Sequence, residues 1–143
     1  MKSAGLLLAA IGLAATASPA DARATSSSIF RLLRDQGFSR PLGPATTIRR
    51  LGTVAEGNRR YEIFYYAHTQ SAAQVRHGRQ SVIFVENGSR YVGAYEANMT
   101  TCAVQRNMVA CRDDIVGVQF IRLSHGLPPA RVLIGGSVSE FHT

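Results

Sequence analysis

Between residues 49 and 79 the chain carries Arg49, Arg60, Tyr66, His68, Arg76, His77 and Arg79, side chains of the types that hold an anion. A guanidinium presents N–H donors in a planar fork that matches a carboxylate or phosphate, and histidine and tyrosine add single donors beside it. Side chains on a strand alternate between faces, so Arg60, Tyr66 and His68 share one face of the run 60–68. If the preceding strand turns back through a two-residue loop at Gly57-Asn58, Arg49 stands opposite Tyr66 and joins that face as a cation beside a ring. Arg76, His77 and Arg79 lie in the polar stretch that follows. These seven residues form a candidate anion-binding face. Its structural alternative is a solvated basic surface with one cation–π pair.

Other chemistry does not assemble. His68, His77, Asp113, Asp114, His125 and His142 are of metal-ligating types, but no two show a ligand spacing such as the paired histidines of H-E-x-x-H. No metal site and no cofactor is expected. Ser124 and His125 are neighbours, and neighbours at a strand end point to opposite sides, which argues against a nucleophile and its base. Val75-Arg76-His77-Gly78 resembles the V-R-H-G tetrapeptide of the histidine phosphatase family, in which the histidine bears the phosphoryl group and arginines hold it. The resemblance spans four residues. That family's larger α/β fold has no counterpart in a chain this short and this rich in strand signals, so no catalytic role is carried over.

The first residues suggest where the chain works. MKSAGLLLAAIGLAATASPADA places Lys2 before an apolar run from Gly5 to Ala17 and ends in small residues at Ala20 and Ala22. This is the pattern of a secretory signal peptide over residues 1–22, with cleavage after Ala20 or Ala22. The run is too short for a membrane span, so no transmembrane segment is expected after cleavage, and a periplasmic or secreted location follows. Two cysteines, Cys102 and Cys111, remain in the exported part, where an even count favours a disulfide. The 143 residues carry sixteen Lys and Arg against nine Asp and Glu, a formal net charge of +7. The arginines are spread along the chain without a basic run, so specific nucleic-acid binding is not expected, while a protein or anionic polymer remains a plausible partner.

The elements that must position these residues read as one small domain, with a helix and linker over 23–45 and a β domain over 46–143. Ser26, Ser27 or Ser28 caps a short helix whose Ile29, Leu32 and Leu33 fall at helical spacing, and Gly37 ends it. Pro41, Gly43 and Pro44 mark a linker. A first hairpin spans 46–68. Its face with Ile48, Val54, Tyr61, Ile63 and Tyr65 reads as buried, and the face with Arg49, Thr53, Arg60, Glu62, Tyr66 and His68 as wet.

Residues 68–80 lose apolar periodicity and read as a polar loop. Ser81–Tyr95 then forms the central hairpin around Asn87-Gly88, a preferred type I′ pair. A two-residue loop there sets Phe84 opposite Tyr91 and groups Val82, Phe84, Tyr91 and Tyr95 on one face, Ile83, Val85 and Val92 on the other. A third hairpin with Arg106-Asn107 at its tip sets Cys102 opposite Cys111; a four-residue loop would keep the same register. Strands over 115–123 and 131–141 complete the set.

The fold expected is mainly β (α+β): an antiparallel sheet or small closed barrel of seven or eight hairpin-connected strands, with one short N-terminal helix packed on it. The function expected is an exported binding or structural module that recognises a protein or an anionic envelope component. A small extracytoplasmic hydrolase is the alternative, although no acid and base fall at a useful spacing.

Overall fold

The computed structural model describes residues 19–72 and 75–143, with backbone alone for 19–26, 70–72 and 75–78. The apolar run Gly5–Ala17, on which the expected signal peptide rests, lies outside the described residues. The fold is mainly β, with one N-terminal helix, α1 (Pro19–Asp35), and nine strands among the described residues. These are β1 (Thr46–Glu56), β2 (Arg59–Ala72), β3 (Val75–Glu86), β4 (Arg90–Glu96), β5 (Thr101–Gln105), β6 (Met108–Asp113), β7 (Gly117–Ile121), β8 (Arg131–Ile134) and β9 (Ser137–Glu140).

All pairings within sheets are antiparallel hairpins, but the strands divide into three sheets, β1–β4, β5–β7 and β8–β9, instead of lying in one. Side chains take the ladder positions where the sheets meet, which is why backbone pairing stops there. At the β1/β5 seam, Asn107 Oδ1 accepts from Ala55 N at 2.8 Å and Asn107 Nδ2 donates to Ala55 O at 2.7 Å. At the β7/β8 seam, Gln119 Oε1 accepts from Gly136 N at 2.9 Å. At the β4/β9 seam, Ser139 Oγ donates to Glu96 O at 3.0 Å, and just beyond β9 Ala94 and His142 exchange backbone bonds of 2.8 and 2.9 Å. With β1 against β5, β7 against β8 and β9 against β4, the three sheets close a ring around one core.

That core is filled by side chains from every sheet, among them Tyr61, Ile63, Phe84, Tyr95, Val109 and Ile121. A second cluster lies outside the ring, where Ile29 and Leu33 of α1 and Phe38 cover Phe64, Tyr66, Ile83 and Val85. Burying a large apolar side chain fully is worth about 1.5–3 kcal/mol, and the helix, short and amphipathic, is held by this contact. It ends as its sequence predicts: Gly37 takes φ 81°, and Phe38 N donates to Leu33 O at 2.9 Å. Its start differs. The helix runs back to Pro19, so Ser26–Ser28 lie within it and not at its N-terminus. Proline is tolerated in a first helical turn, and the alanines that follow favour helix.

The first and third hairpin tips agree with the sequence, the second turn spans 87–89 where a two-residue loop is expected, and two registers differ. Gly57 alone has positive φ (60°) in the first turn, Asn87 and Gly88 take 51° and 70° in the second, and Arg106 and Asn107 take 50° and 59° in the third. Cys102 faces Cys111 and the two are bonded, with Cα atoms 4.1 Å apart. In the first hairpin a bulge between Arg50 and Gly52 shifts the pairing, so Arg49 faces Tyr65 and Ile48 faces Tyr66. In the second, Glu86 pairs with Arg90, and a further irregularity sets Phe84 opposite Gly93. Tyr91 therefore lies with Ile83 and Val85 on the helix side, not with Phe84.

The predicted loop over 68–80 is strand: β2 and β3 stay paired as far as Ala72 and Val75. Backbone pairing there continues without an apolar face, which periodicity cannot detect. The expected last strand, 131–141, is a hairpin of β8 and β9, because Gly135 and Gly136 both adopt positive φ (58° and 76°) and reverse the chain.

Candidate anion-binding site

The seven candidate residues do not form one face. Arg49 lies over the Tyr65 ring, 5.8 Å from its centroid, on the side of the sheet that carries Tyr61 and Ile63. Arg60 is exposed beside the β1–β2 turn. It stands eight positions from His68 along β2, roughly 26 Å away at strand rise. Tyr66, expected in solvent, is fully buried beneath the helix side, and its hydroxyl donates to Pro41 O at 2.7 Å. Desolvation by that burial is the main cause that raises its pKa. None of these three contributes to a common site with the rest.

What remains together is the far end of the β2–β3 hairpin. His68 pairs with Arg79, and beyond them Thr69 pairs with Gly78, Gln70 with His77, Ser71 with Arg76 and Ala72 with Val75. The neighbouring strands stop short: β1 reaches only Thr46 opposite His68, and β4 only Glu96 opposite Ser81. Four residue pairs therefore project as a two-stranded ribbon of about 13 Å, with Arg76 and His77 on it by register. Their side chains lie outside the described residues.

The base of the ribbon is fixed in position. Thr46 Oγ1 lies 2.8 Å from His68 Nδ1 and 3.1 Å from Pro41 O, and the His68 ring stacks on Tyr66 with centroids 6.5 Å apart. Nδ1 is thus engaged, and Nε2 has no partner among the described residues. Arg79 is exposed, and among the described residues no carboxylate stands within ion-pair distance of it. By contrast Arg40, Arg50, Arg59, Arg90 and Arg131 each have a glutamate partner.

Two further side chains lie near this end of the sheet, Arg40, which sequence reasoning did not single out, and His142, which it considered only as a residue of metal-ligating type. Arg40, from the linker, donates to Glu96 Oε1 at the end of β4. His142 is brought beside the same strand by its backbone bonds to Ala94. The Arg40 hydrogen bond holds the Glu96 carboxyl below the usual glutamate range, against the opposing push of partial burial, and the charges of Arg40, His142 and Arg79 add to the lowering. Arg40, Glu96 and His142 thus come together at the end of β4. No short-range signal marks Arg40 or His142, because they are about a hundred residues apart and only the closed ring unites them.

Among the described residues no helix is long and apolar enough to cross a membrane, and no cluster of three or more His, Cys, Asp or Glu side chains could hold a metal ion. Comparison with protein-family models, curated proteins and solved structures finds no match to this chain.

Proposed function

We propose that this protein is an exported binding module that takes an anionic partner on the projecting end of the β2–β3 hairpin. One observation carries the reading: the hairpin outruns both neighbouring strands and places Arg79, exposed and without a carboxylate partner among the described residues, beside His68 at the base of a ribbon that bears Arg76. An unneutralised arginine on a protruding, backbone-paired element loses little entropy on binding, and its fork suits carboxylate, sulfate or phosphate groups. The buried Cys102–Cys111 bond supports export, since such bonds persist in oxidising compartments. The hydrolase alternative has no comparable support: among the described residues no carboxylate lies within ion-pair distance of a histidine.

The test compares two double substitutions of equal charge. Arg76→Gln with Arg79→Gln removes the ribbon cations, and Arg112→Gln with Arg122→Gln removes two exposed arginines of the β5–β7 wall. On a sulfated matrix the ribbon variant elutes at clearly lower salt than the wall variant. Elution of both at the same salt overturns the reading and leaves a uniformly basic surface.

A further inference from the structure

The seam between β4 and the segment that follows β9 holds a cleft of about 370 Å³ lined by Phe38, Arg40, Tyr91, Ala94, Glu96 and His142, with Ser39 and Thr143 at its margin. We infer that this cleft is a binding site for a small amphipathic anion: a carboxylate, sulfonate or phosphate monoester carried on an apolar or aromatic body. Arg79, at the base of the ribbon, does not line it.

The apolar half of the site is a rigid wall. Phe38 and Tyr91 meet edge to face at 5.6 Å, and Phe38 also packs on Tyr66 at 5.3 Å. Phe38 is locked by the helix terminus, and Gln36 ties that terminus to the sheet, accepting from Tyr91 N at 2.7 Å and donating to Ser89 O at 2.8 Å. The polar half is Arg40, His142 and Glu96. Glu96 engages one arm of the Arg40 fork through NH2, and among the described residues no partner is recorded for the other nitrogens. An anion set beside Arg40 meets the remaining nitrogens of its guanidinium, with His142 lining the same cleft. A pre-formed aromatic wall with a few convergent polar groups is the usual make-up of a small-molecule site, and the volume falls at the small end of the roughly 300–1,000 Å³ such sites span.

His142 and Thr143 line the remaining side, held there by Phe141. The Phe141 ring packs 4.8 Å from Tyr95 and 5.8 Å from Phe84, seated over Gly93, where a Cβ would come within 2.5 Å of it. His142 is therefore delivered to the cleft by a glycine that lets the segment approach and by two backbone bonds to Ala94. This is a built position and not a loose end of chain.

The probe is 8-anilinonaphthalene-1-sulfonate, an aromatic anion whose fluorescence rises on binding, set against N-phenyl-1-naphthylamine, the same ring body without the charge. Binding of the sulfonate is saturable, and the uncharged analogue binds about tenfold more weakly, as loss of a charge-assisted contact implies. In the ¹⁵N-labelled protein the sulfonate shifts amides at 38–40, 91, 94–96 and 142–143. Arg40→Gln weakens the sulfonate by about tenfold and leaves the uncharged analogue unchanged. Ser39→Trp, at an exposed margin position that leaves the core intact, blocks both probes. Shifts centred on the exposed apolar residues Met99, Ile115, Val116 and Phe120, equal affinity for the two probes, unchanged binding in both variants, or no saturable binding each overturn the inference.

Discussion

At the scale of single residues, Glu96 and Ser81 give the sharpest tests. The Glu96 carboxyl titrates below its ordinary value of 4.5, chiefly because Arg40 hydrogen-bonds its charged form. A folded pKa below the unfolded one stabilises the protein fully above the unfolded value and loses that stabilisation as pH falls through the folded one. Glu96→Gln is therefore less stable than wild type at neutral pH, and the difference closes as pH falls below the ordinary glutamate value and through the lowered folded one. Since the Glu96 side chain is 48% exposed, the gap stays under about 1 kcal/mol. Urea titrations at neutral and acid pH measure it, and a gap that widens in acid contradicts the pairing. Ser81 is fully buried, and its hydroxyl has no hydrogen-bond partner among the described residues. Most buried substitutions destabilise, but Ser81→Ala removes a desolvated hydroxyl and is neutral or stabilising by up to about 1 kcal/mol in the same assay. A loss of that size would instead mean that the hydroxyl has a partner.

At the scale of elements, what could be read from sequence is what short-range chemistry decides. The turns at Gly57, Asn87-Gly88 and Arg106-Asn107, the helix end at Gly37 and the Cys102–Cys111 pairing follow from local φ preferences and counting. The bulge at Leu51 and the irregularity after Phe84 were illegible, because an extra residue in one strand serves packing across the ring, where Gly52 meets Val104 and Gly93 meets Phe141. The first shift moved Arg49 away from Tyr66 and so dissolved the expected face, while the three-residue turn that pairs Glu86 with Arg90 moved Tyr91 away from Phe84. The ribbon was hidden for a different reason: hydrogen bonding without burial leaves no alternation to detect. Arg79 was legible as a candidate and His142 only as one of several scattered histidines, whereas Arg40 was not, since nothing local places Arg40 and His142 together. Gly93 tests this level directly. With φ at 155° and a Cβ clashing with the Phe141 ring and the His142 carbonyl, Gly93→Ala costs about 1–3 kcal/mol by overpacking. It also removes hydrogen-exchange protection at His142 while leaving that of Val109 intact. Unchanged protection at His142 contradicts the close approach.

At the scale of the whole molecule, three small sheets closed by side-chain amides and one disulfide-linked hairpin make a filled ring with a helix on one flank. The buried core occupies the middle of the ring, and the candidate sites lie on its rim and seams. The rim offers the ribbon, and the account stands or falls on whether its arginines act as a set. The most direct measurement is the salt dependence of affinity for a fluorescently labelled sulfated oligosaccharide, followed by anisotropy. Each cation that neutralises an anion contributes about one unit to the slope of log Kd against log salt. Arg76→Gln with Arg79→Gln lowers the slope by about two units, whereas Arg112→Gln with Arg122→Gln leaves it as in wild type. Equal slopes in the two double variants contradict the central claim.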